Sequence, residues 1–306
     1  MLKSKFRNLI SYITEPQFRF LENSKWGFYK NMSDEEFLRR KFKLEMGYDL
    51  DLEHPKTFNE KLQWLKIHNR KPEFTTMVDK YEAKKYVSGI IGEQYIIPTY
   101  GVWDSFDEID FGSLPDQFVL KCTHDSGGVV IVKDKKTFNK KDAKRIIEKA
   151  LRRDYYQSTR EWPYKDVKRR VFAEKYMEDD ETGDLRDYKL FCFNGEAKFF
   201  AIHFDRFNDY HVNYYDMDGK LMPFGQVEDV PDPSRKLAIP EKLNKMVTLT
   251  EKLSVDIPFL RVDLFYANGN IYCGELTFYP DSGYGLFDPK DTDDKLGEMI
   301  KLPIDL

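Results

Sequence analysis

The sequence is poor in cysteine, in histidine and in surplus positive charge, and each shortage argues against a class of protein. Its 306 residues include three cysteines, which are far apart and form no CxxC pair: Cys122, Cys192 and Cys273. An odd number of isolated cysteines in apolar contexts predicts reduced core residues in a cytoplasmic protein. Five scattered histidines argue against a zinc site. A formal net charge of −4 argues against nucleic-acid binding, which needs a strongly basic face.

Long apolar runs and several common catalytic motifs are also missing. No run approaches the ~18 apolar residues that span a bilayer, and the first residues lack an apolar signal region, so we expect a cytoplasmic protein. The absence of GxSxG argues against a serine nucleophile. The absence of GxxxxGK[ST] and of GxGxxG argues against a P-loop and a dinucleotide-binding fold.

The beginning of the sequence leaves two interpretations open. In MLKSKFRNLISYI, apolar residues recur on one helical face beside three basic residues. Residues 2–13 therefore either pack on the rest of the protein or lie against the inner face of a membrane. The pattern favours ordinary packing and keeps membrane contact as the alternative.

The sequence is rich in signals for ordered secondary structure. Hydrophobic residues make up 41% of the chain and charged residues 33%, which predicts a globular protein with two or three packed sub-domains. Capping boxes at Ser33–Glu36 and Thr57–Glu60 predict a mainly helical region over residues 1–95. A strand, loop, strand and helix unit is predicted over residues 96–172, and hairpins with one long helix over residues 173–306. Hairpins without regular βαβ alternation predict an α+β fold with antiparallel sheets.

Residues 118–132, FVLKCTHDSGGVVIV, place a lysine and two glycines at a predicted strand pair. Gly127 and Gly128 let backbone N–H groups converge on an anion, and Lys121 in the preceding strand supplies positive charge. The motif predicts a phosphate-binding cradle on a hairpin. A glycine-rich hairpin whose lysine extends to solvent explains this motif equally well when it is taken alone.

The predicted strand RVFAEKYM is followed by a group of acids. The backbone groups of Glu174, Lys175, Tyr176 and Met177 are suited to hydrogen-bond an adenine ring, and Asp179 to reach the ribose hydroxyls. The acids taken in isolation are better explained as a solvated turn.

The last hairpin, RVDLFYANGNIYCGELTFYP, carries one acid in each arm where an apolar residue is expected. A two-residue Asn268-Gly269 turn would place Asp263 opposite Gly274, with Glu275 on the other face. A three-residue Asn-Gly-Asn loop would place Asp263 opposite Glu275, with Cβ atoms ~5 Å apart. Two carboxylates that close require a cation, and hard oxygen ligands predict Mg²⁺. The alternative is that each acid caps a loop or pairs with a lysine.

Further polar groups lie on predicted strands. Arg261 stands two residues before the first acid of the hairpin and therefore shares its strand face. Lys189 lies in another strand, where it can face phosphates, while His203, Asp205 and Arg206 lie at the end of the strand predicted to pair with it. Lys189 and the His203–Arg206 group also fit ordinary surface positions.

Taken in order, these elements resemble the ATP-grasp superfamily, and RVDLF with GNIYCGEL resembles its D-alanine–D-alanine ligase members. TFNEKLQWLK, GVWDSFDEIDF, DYKLFCFNGE and GELTFYPDSG are similar to the teichuronopeptide-biosynthesis branch, over about residues 30–303. The resemblance implies an ATP-grasp fold in which residues 96–172 form the lid sub-domain with the glycine loop. Residues 173–306 would form the sub-domain with the metal site.

The resemblance also implies roles for individual residues. Lys80 and Lys121 would bind the phosphates of ATP. Arg261 and Lys189 would be catalytic. Asp263, Glu275 and Thr277 would bind the metal ion. Thr277 stands where many ATP-grasp enzymes have an asparagine ligand, and a threonine hydroxyl binds Mg²⁺ weakly. For the substrate pocket we expect four residues: His203, Asp205, Arg206 and Ser282.

The reaction implied by the resemblance is transfer of the γ-phosphoryl group of ATP to a carboxylate, followed by attack of an amine on the acyl phosphate. For the teichuronopeptide branch, the implied product is an amide between an amino acid or amino sugar and a carboxylate such as a uronic acid, in a capsule or cell-wall polymer. The implied partners are ATP, Mg²⁺ and a small-molecule or saccharide substrate.

Two other functions stay open at this point. Asp216-Met217-Asp218 matches the DxD site of a metal-dependent glycosyltransferase, although Asp218-Gly219 is also a hairpin turn signal. A sugar kinase needs the same phosphate cradle as a ligase. Nucleotide preference and the products formed from ATP distinguish these functions.

Overall fold

The computed structural model describes residues 11–179, 185–204, 210–229, 231–235 and 241–303. Within these ranges the chain forms antiparallel sheets with helices packed on them, so the predicted α+β fold class is confirmed. Residues 2–10 of the proposed membrane-contacting helix, together with Asp205 and Arg206, lie outside the described residues. No helix in the described part of the chain has the length and apolarity needed to cross a bilayer.

Helices dominate residues 16–91, as the capping signals predict: α1 Pro16–Ser24, α2 Asp34–Met46, α3 Phe58–His68, α4 Glu73–Val78 and α5 Glu82–Ile91. At α3 the capping box is complete, because Thr57 Oγ1 accepts the Glu60 N–H and the Glu60 carboxylate accepts the Thr57 N–H, both at 3.1 Å. Ser33 caps α2 by accepting the Glu36 N–H at 3.2 Å. These bonds satisfy N–H groups that have no partner inside the helix.

A small antiparallel sheet of four strands follows, in the order β1-β4-β2-β3. Its elements are β1 Thr99–Trp103, β2 Phe118–Cys122, β3 Val129–Val132, α6 Lys140–Leu151, α7 Tyr155–Thr159 and β4 Val171–Lys175. The apolar face of α6 packs against this sheet through Ala143 and Ile147. The predicted boundary between residues 172 and 173 falls inside β4, all of which pairs with β2.

A larger antiparallel sheet has five strands in the order β10-β9-β5-β6-β7. The remaining elements are β5 Arg186–Phe193, β6 Glu196–Phe204, β7 His211–Asp216, β8 Gly225–Gln226, α8 Leu243–Leu253, β9 Phe259–Ala267, β10 Asn270–Thr277, β11 Phe287–Asp288 and α9 Thr292–Met299. The main core joins this sheet to α3, α4 and α5. Phe58 of α3, for example, packs edge-on against Phe259 with ring centroids 4.9 Å apart.

The β9–β10 hairpin turns at Asn268-Gly269 and not through the predicted three-residue loop. Asn270 pairs with Ala267 directly after the turn, and both turn residues have positive φ angles, 52° and 70°. Positive φ at both positions is the geometry of a two-residue type I′ turn, which Asn-Gly favours. The prediction of a three-residue loop is therefore wrong.

A β-bulge further along the hairpin brings the two acids opposite each other. The register shifts between Cys273 and Glu275, and beyond the shift Glu275 pairs with Asp263, as expected. A Cβ atom at Gly274 would lie 2.5 Å from the Phe265 ring, so this bulge requires glycine. The expected pairing thus depends on the bulge, which the sequence analysis missed.

The contact of α9 with the start of α3 supplies a test of the packing. A Cβ at Gly297 would lie 2.1 Å from the Lys56 carbonyl oxygen. We predict that Gly297→Ala lowers the free energy of unfolding by about 1–3 kcal/mol, because these two segments must move apart. Urea unfolding monitored by circular dichroism measures the change.

Gly89→Ala in α5 is the matched control for this substitution. An added Cβ there meets no atom of another segment within 4 Å. Replacing a helical glycine in open space should raise the free energy of unfolding by about 0.5–1 kcal/mol. Equal stability of the two alanine variants would contradict the close approach at Gly297.

Candidate functional site

A cleft of about 560 Å³ is lined by β2, β3 and β4 of the small sheet and by β5, β9 and β10 of the large sheet. It brings together most of the residues predicted from the sequence: Lys80, Lys121, Gly127, Glu174, Lys175, Tyr176, Met177, Lys189, His203, Asp263 and Glu275. Lys80 precedes α5, so the N-terminal helical region also contributes to this cleft. The predicted residues are therefore neighbours in space as well as members of one sequence pattern.

Glu174 is a buried carboxylate that binds two lysines. Its two oxygens lie 2.5 Å from the Lys121 ammonium and 2.7 Å from the Lys84 ammonium. Burial alone would raise the pKa of Glu174, but the charges and hydrogen bonds of the two lysines outweigh burial and lower it. The side chain of Glu174 therefore positions lysines. Lys84 was missed by the sequence analysis, although it lies one helical turn after Lys80.

The glycine loop shows different surroundings for its two glycines. Gly127 lines the cleft with a φ of 109°, a conformation that favours glycine. Gly128 packs closely on α6, because a Cβ there would lie 2.5 Å from the Ala150 side chain. Asp125 anchors the loop through an ion pair with Arg153 at 3.2 Å. The loop is thus fixed to α6 and presents Gly127 to the cleft.

The segment after β4 continues along the cleft through Tyr176, Met177 and Glu178. The Tyr176 hydroxyl donates to the Glu178 carboxylate at 2.8 Å. Asp179, the predicted ribose-binding acid, accepts the N–H of Asn268 at 2.9 Å. Of these two neighbouring acids, Asp179 therefore contacts the β9–β10 turn and Glu178 lines the cleft.

Asp263 is the most strongly compensated acid of the site. Arg261 donates from Nε to one carboxylate oxygen at 2.7 Å and from Nη2 to the other at 3.0 Å, and Lys189 pairs with the second oxygen. Burial would raise the pKa of Asp263, but these cations lower it well below the usual range. Glu275 pairs with Lys80, and its pKa is also lowered despite burial. Protein cations thus hold both acids in the charged form.

The donor set at this position fits a magnesium ion that keeps most of its water and phosphate ligands. Asp263 and Glu275 face each other across adjacent strands and supply hard oxygens. Among the described residues there is no group of three or more His, Cys, Asp or Glu side chains suited to a metal. Thr277, the third predicted ligand, accepts a hydrogen bond from Arg261 at 3.2 Å. Protein ligation would therefore come from two carboxylates.

A smaller pocket of about 100 Å³ adjoins the cleft at His203, which lines both. Arg261, which contacts Asp263 in the cleft, also lines this smaller pocket. The walls combine aromatic rings with polar groups: Phe191, Phe199, Tyr214, Phe287, Gln226, Asp229 and Asp281. Burial and the nearby charge of Asp281 raise the pKa of Asp229. Neither acid was predicted from the sequence, because only the fold brings their two segments to one pocket.

Ser282, a predicted substrate residue, lies next to this pocket but does not line it. The buried Lys66 ammonium donates to the Ser282 carbonyl at 2.8 Å and to its hydroxyl at 3.1 Å. Burial lowers the pKa of Lys66 to about 7. Asp281 and Ser282 have positive φ angles of 50° and 55°. Lys66 therefore secures a strained turn that presents Asp281 to the pocket.

Comparison with known proteins agrees with this geometry. A family model described as TupA-like ATPgrasp matches residues 60–301, which includes the glycine loop and both acids. The chain belongs to the TupA-like ATP-grasp family. Membership places it in the ATP-grasp superfamily, as the sequence resemblance implied. No curated protein matches the chain.

Solved structures similar to this TupA-like protein include two D-alanine–D-alanine ligases. That from Helicobacter pylori has 17% identity and a TM-score of 0.42, with 80% of this chain and 69% of that chain covered. That from Bacillus anthracis, complexed with ATP, has 16% identity and a TM-score of 0.41, with 74% and 63% covered. Biotin carboxylase from Campylobacter jejuni has 15% identity and a TM-score of 0.44, with 80% and 53% covered.

The buried cluster around Glu174 predicts a specific dependence of stability on pH. Because the folded-state pKa of Glu174 is lowered, its contribution is present above the unfolded pKa of ~4.3 and is lost as pH falls below it. We predict that Glu174→Gln lowers the free energy of unfolding by roughly 2–4 kcal/mol at neutral pH, since two lysines lose their partner. Urea unfolding in steps from pH 7 to about pH 3 measures both proteins.

The gap in the free energy of unfolding between wild type and Glu174→Gln should stay constant near neutral pH and narrow as pH falls below ~4.3. The matched control is Asp107→Asn, which removes an exposed partner of Lys144 and should change stability by less than ~1 kcal/mol. A constant gap at every pH would contradict the assignment of the effect to the Glu174 charge.

Proposed function

We propose that the protein is an ATP- and Mg²⁺-dependent ligase that joins a carboxylate to an amine in the synthesis of a surface polysaccharide. The proposed product is an amide between an amino acid or amino sugar and a carboxylate such as a uronic acid in a capsule or cell-wall polymer. The proposed place of action is the cytoplasm. The observation that carries the proposal is the clustering of Lys80, Lys121 and Lys189 with two opposed acids in one cleft.

The base of the nucleotide is proposed to lie between apolar side chains of the two sheets. Val129 and Ile131 of β3 are 40% and 47% exposed, although both are apolar. Both line the cleft, as do Phe172 and Phe265. A flat aromatic ring between these walls would cover the exposed apolar surface. The backbone at residues 175–177 lies along the same cleft and supports its proposed role in binding adenine.

The phosphates are proposed to bind the lysines that now neutralise acids. Lys121 forms an ion pair with Glu174, Lys80 with Glu275 and Lys189 with Asp263. Because an ammonium group has several N–H donors, each lysine can also donate to a phosphate oxygen. The backbone at Gly127 adds N–H donors. When bound by the two acids, Mg²⁺ supplies charge neutralisation for the transferred phosphoryl group.

Arg261 is proposed to bind the reacting carboxyl group. Its Nε and Nη2 atoms bind Asp263 and Thr277, while Nη1 has no hydrogen-bond partner among the described residues. Burial opposes the guanidinium charge, but Asp263 raises the pKa of Arg261, so the group stays charged. The substrate carboxylate would attack the γ-phosphorus of ATP and release ADP. Attack by the amine would then release phosphate, with Arg261 stabilising the tetrahedral oxyanion.

The smaller pocket is the proposed site for the amine substrate. Its acids, Asp229 and Asp281, favour a cationic or polyhydroxyl group, while Tyr214 and Phe287 offer apolar faces. A volume of about 100 Å³ suits a single small building block better than an oligosaccharide. Its position beside Arg261 places the amine next to the acyl carbon.

The structure does not support the DxD motif on which the glycosyltransferase alternative depends. Asp216 Oδ1 accepts the backbone N–H groups of Asp218 at 3.1 Å and of Lys220 at 2.8 Å. The two acids of the DxD sequence therefore belong to a surface turn and line neither pocket. The sugar kinase shares the phosphate site and is separated from the ligase by its products.

The proposed metal site predicts the effect of one substitution. Glu275→Ala should lower Mg²⁺-dependent ATP turnover by at least about 100-fold, because one of two carboxylate ligands is lost. It should also abolish the increase in melting temperature that ATP with Mg²⁺ produces in the wild type. Coupled-enzyme assays of ADP release and thermal shift measure the two effects.

Asp218→Ala is the control, since this exposed acid lies in the DxD turn outside the cleft. It should keep wild-type turnover and the wild-type thermal shift. Full turnover in Glu275→Ala, or loss of activity in Asp218→Ala, would contradict the assignment of the site.

Product analysis tests the reaction itself. We predict that ADP and phosphate appear together only when a carboxylate and an amine are both supplied, from panels of uronic acids, amino acids and amino sugars. ADP with a phosphorylated sugar and no free phosphate would identify a kinase. UDP released from a sugar nucleotide, without ATP consumption, would identify glycosyl transfer and overturn the proposal.

A further inference from the structure

The turn that follows α1 exposes large apolar side chains to solvent. Trp26 is 73% exposed and Phe28 is 69% exposed, and Ile13 nearby is 64% exposed. These are the three most exposed large apolar side chains in the described ranges. Such a concentration on one segment marks an interaction surface, whereas single exposed apolar residues are normal. This segment precedes the part of the chain that matches the family model.

Hydrogen bonds hold the turn that carries Trp26 and Phe28 in place, so the exposure of these side chains does not result from a loose chain end. The Trp26 N–H donates to the Asn23 carbonyl at 3.1 Å, and the Gly27 N–H donates to the Ser24 carbonyl at 3.2 Å. The Tyr12 hydroxyl donates to the Asn23 side chain at 2.7 Å. Residues 12 and 26 are thus both tied to Asn23, which brings the Ile13 segment close to the turn.

Positive charge is concentrated in the part of the sequence that contains these side chains. Residues 1–32 contain six lysine and arginine residues and two glutamates, a net charge of +4 in a chain whose total is −4. Lys25 and Lys30 flank the turn and are exposed. Gly27 also packs against Gln157 of α7. The apolar turn therefore has basic neighbours along the chain, of which Lys25 also pairs with Glu22.

We propose that the turn at residues 25–30 docks the protein on an anionic lipid bilayer, with Trp26 and Phe28 inserted at the level of the headgroups. Tryptophan favours the interface between membrane and water, and lysines add attraction to anionic lipids. One turn with two aromatic side chains is small for a stable protein interface, which buries roughly 800 Å² on each partner. This surface differs from residues 2–13, for which the sequence left membrane contact open as the alternative to packing, and it holds whether or not the proposed ligase reaction is correct.

The test is sedimentation of the full chain with vesicles of phosphatidylcholine, with and without phosphatidylglycerol. We expect the wild type to bind vesicles that contain phosphatidylglycerol and to bind pure phosphatidylcholine weakly. The double variant Trp26→Ser/Phe28→Ser should reduce partitioning to anionic vesicles by roughly tenfold or more. Lys25→Gln/Lys30→Gln should reduce it less and remove most of its dependence on salt.

The matched control is Val255→Ser, which removes an apolar side chain that is 61% exposed on another part of the surface. It should bind vesicles as the wild type does. Absence of wild-type binding to anionic vesicles, or full binding by the Trp26→Ser/Phe28→Ser variant, would overturn the proposal. Self-association in sedimentation velocity that disappears in this variant, without vesicle binding, would assign the surface to a second copy of the chain instead.

Discussion

Asp263 has its carboxylate buried in the middle of a sheet strand, and the charges of the site depend on how that acid is compensated. Asp263 is 3% exposed, so Arg261 and Lys189 supply the hydrogen bonds that water gives to an exposed carboxylate. The same principle operates at Glu174, which holds Lys121 and Lys84. Buried acids thus fix the positions of basic side chains that would otherwise be mobile in solvent.

This arrangement suits a site that receives a polyanion. Under the proposed function, the phosphates of ATP would compete with the acids for the same lysines, and acids that lose a lysine would be free to bind a divalent cation. Under the proposed function, Arg261 keeps its contact with Asp263 throughout and orients its remaining donors toward the substrate pocket.

The N-terminal helical region is part of the site and not a separate appendage. Lys80 and Lys84 both come from this region, and they bind acids on the large sheet and the small sheet, respectively. Lys66 of α3 secures the turn that carries Asp281. Because α3, α4 and α5 share one core with the large sheet, the geometry of the cleft depends on helices that precede both sheets. A truncated chain that begins at the first strand would lack these contacts.

The sequence by itself determined the fold class, the helix caps and the glycine loop, because each depends on local patterns of residues. It did not determine the register of the last hairpin, since the bulge at Gly274 depends on packing against Phe265. Lys84, Asp229 and Asp281 were not predicted, because they reach Glu174 or the smaller pocket only through contacts between distant segments. Local hydrogen bonding and hydrophobic periodicity set the elements, whereas the tertiary structure decided which charges meet, because burial makes each charge depend on its partners.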